Sequence, residues 1–64
     1  MSEVLPLNRA ARRLGVPAHW LKAEAEAGRV PHLLAGNRYL FEVGTAADAL
    51  ADRIRAQRQE STNA

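Results

Sequence analysis

The 64-residue chain has no cysteine and only three aromatic residues, Trp20, Tyr39 and Phe41. The missing thiols exclude disulfides and thiolate metal sites and leave the redox compartment open. No apolar run approaches the roughly 20 residues that a membrane-spanning helix needs. The N-terminus lacks a basic patch followed by an apolar stretch, so no signal peptide is expected and a cytoplasmic protein is the simplest inference. Neither sign of charge dominates: the net charge of +2 is too small to argue for nucleic acid by itself. Internal repeats and low-complexity linkers are absent as well. A chain this short allows one domain that buries only about 60% of its unfolded surface. Such domains usually lean on a metal, a disulfide or a partner.

What is present is distributed unevenly. Residues 1–22 carry Arg9, Arg12, Arg13 and Lys22 against Glu3 alone. Residues 23–52 carry Arg29 and Arg38 against Glu24, Glu26, Glu42, Asp48 and Asp52, and the remainder is again basic. The best positive cluster therefore falls near the N-terminus.

Local signals divide the chain into short elements. Leu5-Pro6-Leu7 reads as extended, because a residue before proline is pushed away from helical torsions. Asn8 is a good N-cap, and a first helix over Arg9–Leu14 turns Ala10, Ala11 and Leu14 inward and Arg9, Arg12 and Arg13 outward. Gly15 ends it. Pro17 suits the first position of a second helix reaching Ala27, with Gly28 as the stop. On that helix Leu21, Ala25, Pro17 and Glu24 lie on or near one face, His19, Lys22, Ala23 and Glu26 lie opposite, and Trp20 sits on a flank. The buried face is thin, so Trp20 is expected to supply much of its apolar contact.

Leu33-Leu34 and Tyr39-Leu40-Phe41 flank a Gly36-Asn37 turn and predict a two-stranded hairpin, which must pack on the helices to be stable. Thr45-x-x-Asp48 resembles a capping box. The third helix beyond it carries Ala47, Leu50, Ala51 and Ile54 as one apolar stripe. The predicted core is Leu14, Val16, Leu21, Leu33 or Leu34, Leu40, Phe41, Leu50 and Ile54. The fold class is mainly α with a small β-hairpin wing: a winged helix-turn-helix of three helices, with the hairpin between the second and third. The domain spans residues 4–57, and residues 58–64 form a polar tail expected to fray.

The order Ala10-Ala11-Arg12-Arg13-Leu14-Gly15-Val16, then Gly28-Arg29-Val30-Pro31, then Gly36-Asn37-Arg38-Tyr39-Leu40-Phe41 resembles the excisionase-type, MerR-like winged helix-turn-helix domains over about residues 4–54. Those proteins share an alanine pair with Leu-Gly-Val, a helix ending in Gly-x-Leu-Pro and a Gly-x-Arg-aromatic wing. The resemblance implies a second helix in the major groove of double-stranded DNA and a wing on the adjacent backbone. Arg38 then matches the wing arginine, and His19 and Lys22 match outward positions of the recognition helix. This chain departs from the family where Pro17-Ala18-His19-Trp20 replaces a Ser-Arg-Arg-Thr-like run, and where Ala23, Glu24 and Glu26 occupy positions often basic or neutral.

The candidate DNA-binding residues are accordingly Arg9, Arg12, Arg13, Ala18, His19, Lys22, Arg38 and Tyr39. Guanidinium forks on the first helix match phosphate oxygens, and Arg38 at the hairpin tip has no core to pack on. Tyr39 is able to offer its hydroxyl to a phosphate, although its ring is expected on the core. His19 and His32 have no further ligand at useful spacing, so no metal or other cofactor is expected. No serine or threonine has a histidine–acid pair at convincing spacing, so neither catalysis nor a small-molecule substrate is expected. One module of this size has a small footprint, and useful affinity needs a homodimer, a tandem site or cooperative assembly on DNA. The alternative is a protein-interaction or assembly module on the same scaffold. Ala23, Glu24, Glu26 and an exposed Trp20 would favour it.

Overall fold

The computed structural model describes the backbone of residues 3–63 and the side chains of residues 3–57. In chain order the elements are β1 (Val4–Pro6), α1 (Leu7–Leu14), α2 (Ala18–Glu26), β2 (Leu33–Ala35), β3 (Arg38–Glu42) and α3 (Val43–Asn63). The extended N-terminal segment forms a third strand, so the predicted two-stranded hairpin is part of a three-stranded antiparallel sheet ordered β1-β3-β2. Central β3 pairs Leu5 with Phe41 on one side and Leu34 with Tyr39 on the other. Strand alternation then sends Phe41 and Tyr39 toward the helices and Arg38, Leu40 and Glu42 to the opposite face. Pro6 donates no hydrogen bond and is tolerated because β1 is an edge strand.

Two helix starts differ from expectation for the same reason: sheet pairing sets them. β1 runs directly into α1, with Pro6 at the N-cap in extended conformation and no side-chain cap, so Asn8 lies within the first turn. At α3 the cap is Glu42, not Thr45. Its carboxylate accepts from the backbone N–H of Gly44 and of Thr45, both at 2.9 Å. The Thr45 hydroxyl donates back to the Glu42 carbonyl at 3.1 Å. Pro17 sits at the N-cap of α2, one residue before the helix proper.

The helix stops agree with expectation. Gly28 follows α2 at φ 80°, a left-handed conformation that costs glycine little. Its N–H donates to Ala25 and that of Arg29 to Glu24, both at 3.0 Å, which completes a Schellman motif. Gly15 closes α1 with the same pair of bonds. In the β2–β3 turn Gly36 has φ 66° and Asn37 a negative φ, the sign pattern of a II′ turn with glycine first.

The core consists of Ala10, Ala11, Leu21, Ala25, Val30, Phe41 and Ala46, with Leu5, Leu14, Val16, Trp20 and Leu50 packed around it. Phe41 and Leu21 are the largest fully buried side chains among the described residues. Leu33 and Leu34 are not core residues, being 61% and 53% exposed. They belong to an edge strand whose three residues are all exposed. Ile54 is 56% exposed. α3 is rotated from the expected stripe: Ala46 is buried while Ala47 is exposed. The α3 backbone is helical through Asn63. The expected boundary at residue 57 and the tail 58–64 fall where side chains lie outside the described residues.

Burial predicts a sharp contrast between two apolar truncations. Phe41→Ala should cost about 3–5 kcal/mol, a large part of the 5–15 kcal/mol typical of a domain's total. Leu33→Ala, on the exposed edge, should stay within about 0.5 kcal/mol of wild type. Urea unfolding of both variants measures the difference, and equal losses would contradict this packing.

Candidate nucleic-acid interface

α2 presents His19, Lys22, Ala23 and Glu26 to solvent, while Leu21, Glu24 and Ala25 are buried. Ala18 is half-buried and packs against the core, leaving it little surface for a ligand. The β2–β3 hairpin folds toward this helix and is tied to it through Tyr39. The Tyr39 hydroxyl donates to Glu26 Oε2 at 3.1 Å, and Lys22 Nζ lies 5.9 Å from the Tyr39 ring centroid. Partial burial, reinforced by the Glu26 carboxylate, raises the Tyr39 pKa and keeps the phenol protonated. The ring is half-buried and packs on the core, as expected, and its hydroxyl is taken by Glu26.

Beside this tie, Lys22 and Arg38 line one concavity of about 410 Å³ together with Asn8, Asn37, Tyr39, Pro6 and Leu7. No carboxylate is among these residues. Two cations, two neutral amide side chains and the uncapped start of α1 therefore converge on one surface. That combination suits an anion with several oxygens, because it offers N–H donors as well as positive charge. Neither asparagine was a predicted site residue. Asn37 carried only a turn signal and Asn8 only a capping signal, and nothing in sequence places them beside Lys22.

Arg9, Arg12 and Arg13 line a second concavity of about 450 Å³ with Leu5 and Glu3. Arg13 is engaged there by Glu3, Nη1 to Oε1 at 2.9 Å, whereas Arg9 and Arg12 make no ion pair among the described residues. Asn8 and Arg12 are four residues apart on α1, hence neighbours on its surface. The two concavities are thereby joined across the outer side of that helix. His19 is exposed but lines neither of them.

The acidic residues of α2 have separate roles. Glu26 holds Tyr39. Glu24 is 4% exposed, receives Arg29 Nε at 2.8 Å and Nη2 at 3.0 Å, and also pairs with Arg53 of α3. The Arg53 guanidinium in turn lies 5.8 Å from the Trp20 ring centroid. Glu24 is thus part of an internal ion cluster joining α2 to α3, not of an outward acidic face. Its carboxyl pKa is lowered from the ordinary 4.5 to about 2, chiefly by the Arg29 hydrogen bonds, against the opposing cost of burial and with help from Arg53. Glu42 is lowered too, by the backbone N–H groups of Thr45 and Gly44.

Among the described residues no three His, Cys, Asp or Glu side chains are grouped as a metal site would require. Nor is any helix among the described residues long and apolar enough to cross a membrane. No protein family, curated protein or solved structure matches the chain.

The ion cluster makes stability depend on acid. A carboxylate with a depressed folded-state pKa contributes fully above its unfolded value of 4.5 and loses that contribution as the pH falls toward about 2. Melting temperatures should therefore decline across this window. Glu24→Gln should melt lower at neutral pH and show a shallower decline, the remainder coming from Glu42. A decline as steep as that of wild type would exclude Glu24 as its source.

Proposed function

We propose that this protein is a small sequence-specific double-stranded DNA-binding protein of winged helix-turn-helix type, a transcriptional regulator or excisionase-like accessory factor. The observation that carries the reading is the meeting of Lys22 from α2 and Arg38 from the hairpin in one carboxylate-free concavity. α2 enters the major groove, where His19 and Lys22 reach base edges. The β2–β3 hairpin acts as the wing, with Arg38 on the adjacent phosphates and Asn8 and Asn37 donating amide hydrogens beside it. Arg9 and Arg12 extend the phosphate track along α1, while Arg13 contributes less because Glu3 already engages it. Tyr39 positions the wing and leaves phosphate contact to its neighbours. The mechanism is non-covalent.

A mobility-shift titration on duplex DNA across several salt concentrations tests the proposal. With Arg9, Arg12 and Arg38 neutralising about three phosphates, log K should fall against log salt with a slope near −2.7. Arg38→Ala should weaken binding to every sequence alike and reduce that slope by about 0.9. Lys22→Ala and His19→Ala should instead change the preference among sequences. Glu26→Gln, which keeps an acceptor for Tyr39 but removes a negative charge, should raise non-specific affinity. Absence of binding at low salt would leave the protein-assembly reading, which an apolar groove beside Trp20 favours.

A further inference from the structure

Beside Trp20 an open groove of about 510 Å³ separates α3 from the end of α1 and the start of α2. Ala47 and Ala51, one turn apart on α3, leave the hollow, and Leu14, Val16, Trp20, Leu50 and Ile54 wall it with apolar surface. Arg13, Arg53 and Gln57 complete the lining, and no carboxylate belongs to it. Arg53 and Gln57 are four residues apart, so their donors meet at one end of the α3 wall. A volume within about 300–1,000 Å³, apolar walls and a few placed polar groups are the features of a small-molecule site.

The charge at this groove is not balanced from within. Glu24 meets two guanidinium groups, and Arg29 alone already serves both of its oxygens. One negative charge against two positive leaves a surplus of one, carried by Arg53. The Arg53 side chain is 39% exposed, bonds Glu24 through Nη1 only, and leaves Nε and Nη2 without a partner among the described residues. Arg13 is engaged only by Glu3, an exposed pair of the kind that competes weakly with a new anion.

We propose that the groove binds a small amphipathic carboxylate, an apolar chain ending in one carboxylate group. The chain covers Trp20, Leu50 and Ile54, and the carboxylate takes the free donors of Arg53 with the Gln57 amide beside them. A guanidinium fork matches two carboxylate oxygens, whereas an alcohol leaves the charge unmet and an ammonium is repelled. The site is independent of the DNA-binding reading, since neither Lys22 nor Arg38 lines it.

Trp20 is the sole tryptophan of the chain, so its fluorescence reports the groove directly. Octanoate, titrated into the full chain below its micellar range, should shift that emission to the blue and saturate at one molecule per chain. 1-Octanol should bind on the order of tenfold more weakly, and octylammonium more weakly still. Arg53→Gln should weaken octanoate binding on the order of tenfold and leave octanol affinity unchanged, a difference that a merely disturbed fold would not produce. Ile54→Glu, at a position exposed in the chain, should keep the wild-type circular dichroism spectrum and lose the octanoate response. Octylammonium binding as tight as that of octanoate, equal loss of octanoate and octanol in Arg53→Gln, or no saturable shift would overturn the proposal. So would an emission that changes with protein concentration alone, which would place a second copy in the groove.

Discussion

The register of β3 between its two neighbours is the constraint on which the rest of the molecule depends. Leu5 opposite Phe41 and Leu34 opposite Tyr39 hold the strand from both sides. Because side chains alternate along a strand, this register decides every role at once. Phe41 enters the core, Tyr39 reaches α2, Arg38 is carried to the turn and Glu42 arrives where α3 must be capped. A slip of one residue would turn Phe41 outward and bury two charged side chains. For a domain with so few large buried residues, that penalty leaves one arrangement strongly preferred.

A second constraint connects the helices. Glu24 is buried near the end of α2 and is bonded by Arg29 just beyond that end and by Arg53 from α3. A buried carboxylate is tolerated only when its oxygens are satisfied and its charge is met. The Schellman turn at Gly28 brings Arg29 back to Glu24, and Trp20 offers a ring for Arg53. The same cluster that joins α2 to α3 therefore removes Glu24 from the outward face and leaves that face less acidic than its composition suggests.

These two constraints divide the surface into a basic part and an apolar part. The Tyr39–Glu26 hydrogen bond sets the hairpin against α2, so that Lys22 and Arg38 flank one concavity and α1 continues it with Arg12 and Arg9. On α3 the exposed stripe at Ala47, Ala51 and Ile54 is formed by other residues. The two basic concavities and the groove beside Trp20 thus share only Arg13 among the described residues.

Much of the architecture was legible in the residues themselves. The glycines at 15 and 28, the proline at 17 and the Gly-Asn turn act locally, through torsions that few other residues adopt, and their effects appear where the chain order puts them. Helical periodicity likewise placed Leu21, Glu24 and Ala25 on the inner side of α2. Decisions that depend on distant residues were not legible. Leu5-Pro6 became a strand because β3 lay open beside it, and that pairing moved the start of α1 ahead of Asn8. Glu42 displaced Thr45 as the cap of α3 because the strand delivered its carboxylate to the first amides. Leu33, Leu34 and Ile54 are apolar and correctly spaced, but no other element covers them. Asn8 and Asn37 joined Lys22 only when the hairpin closed on α2. Local torsional preference needs only neighbours in sequence, whereas burial, capping by a remote side chain and a shared site need neighbours in space.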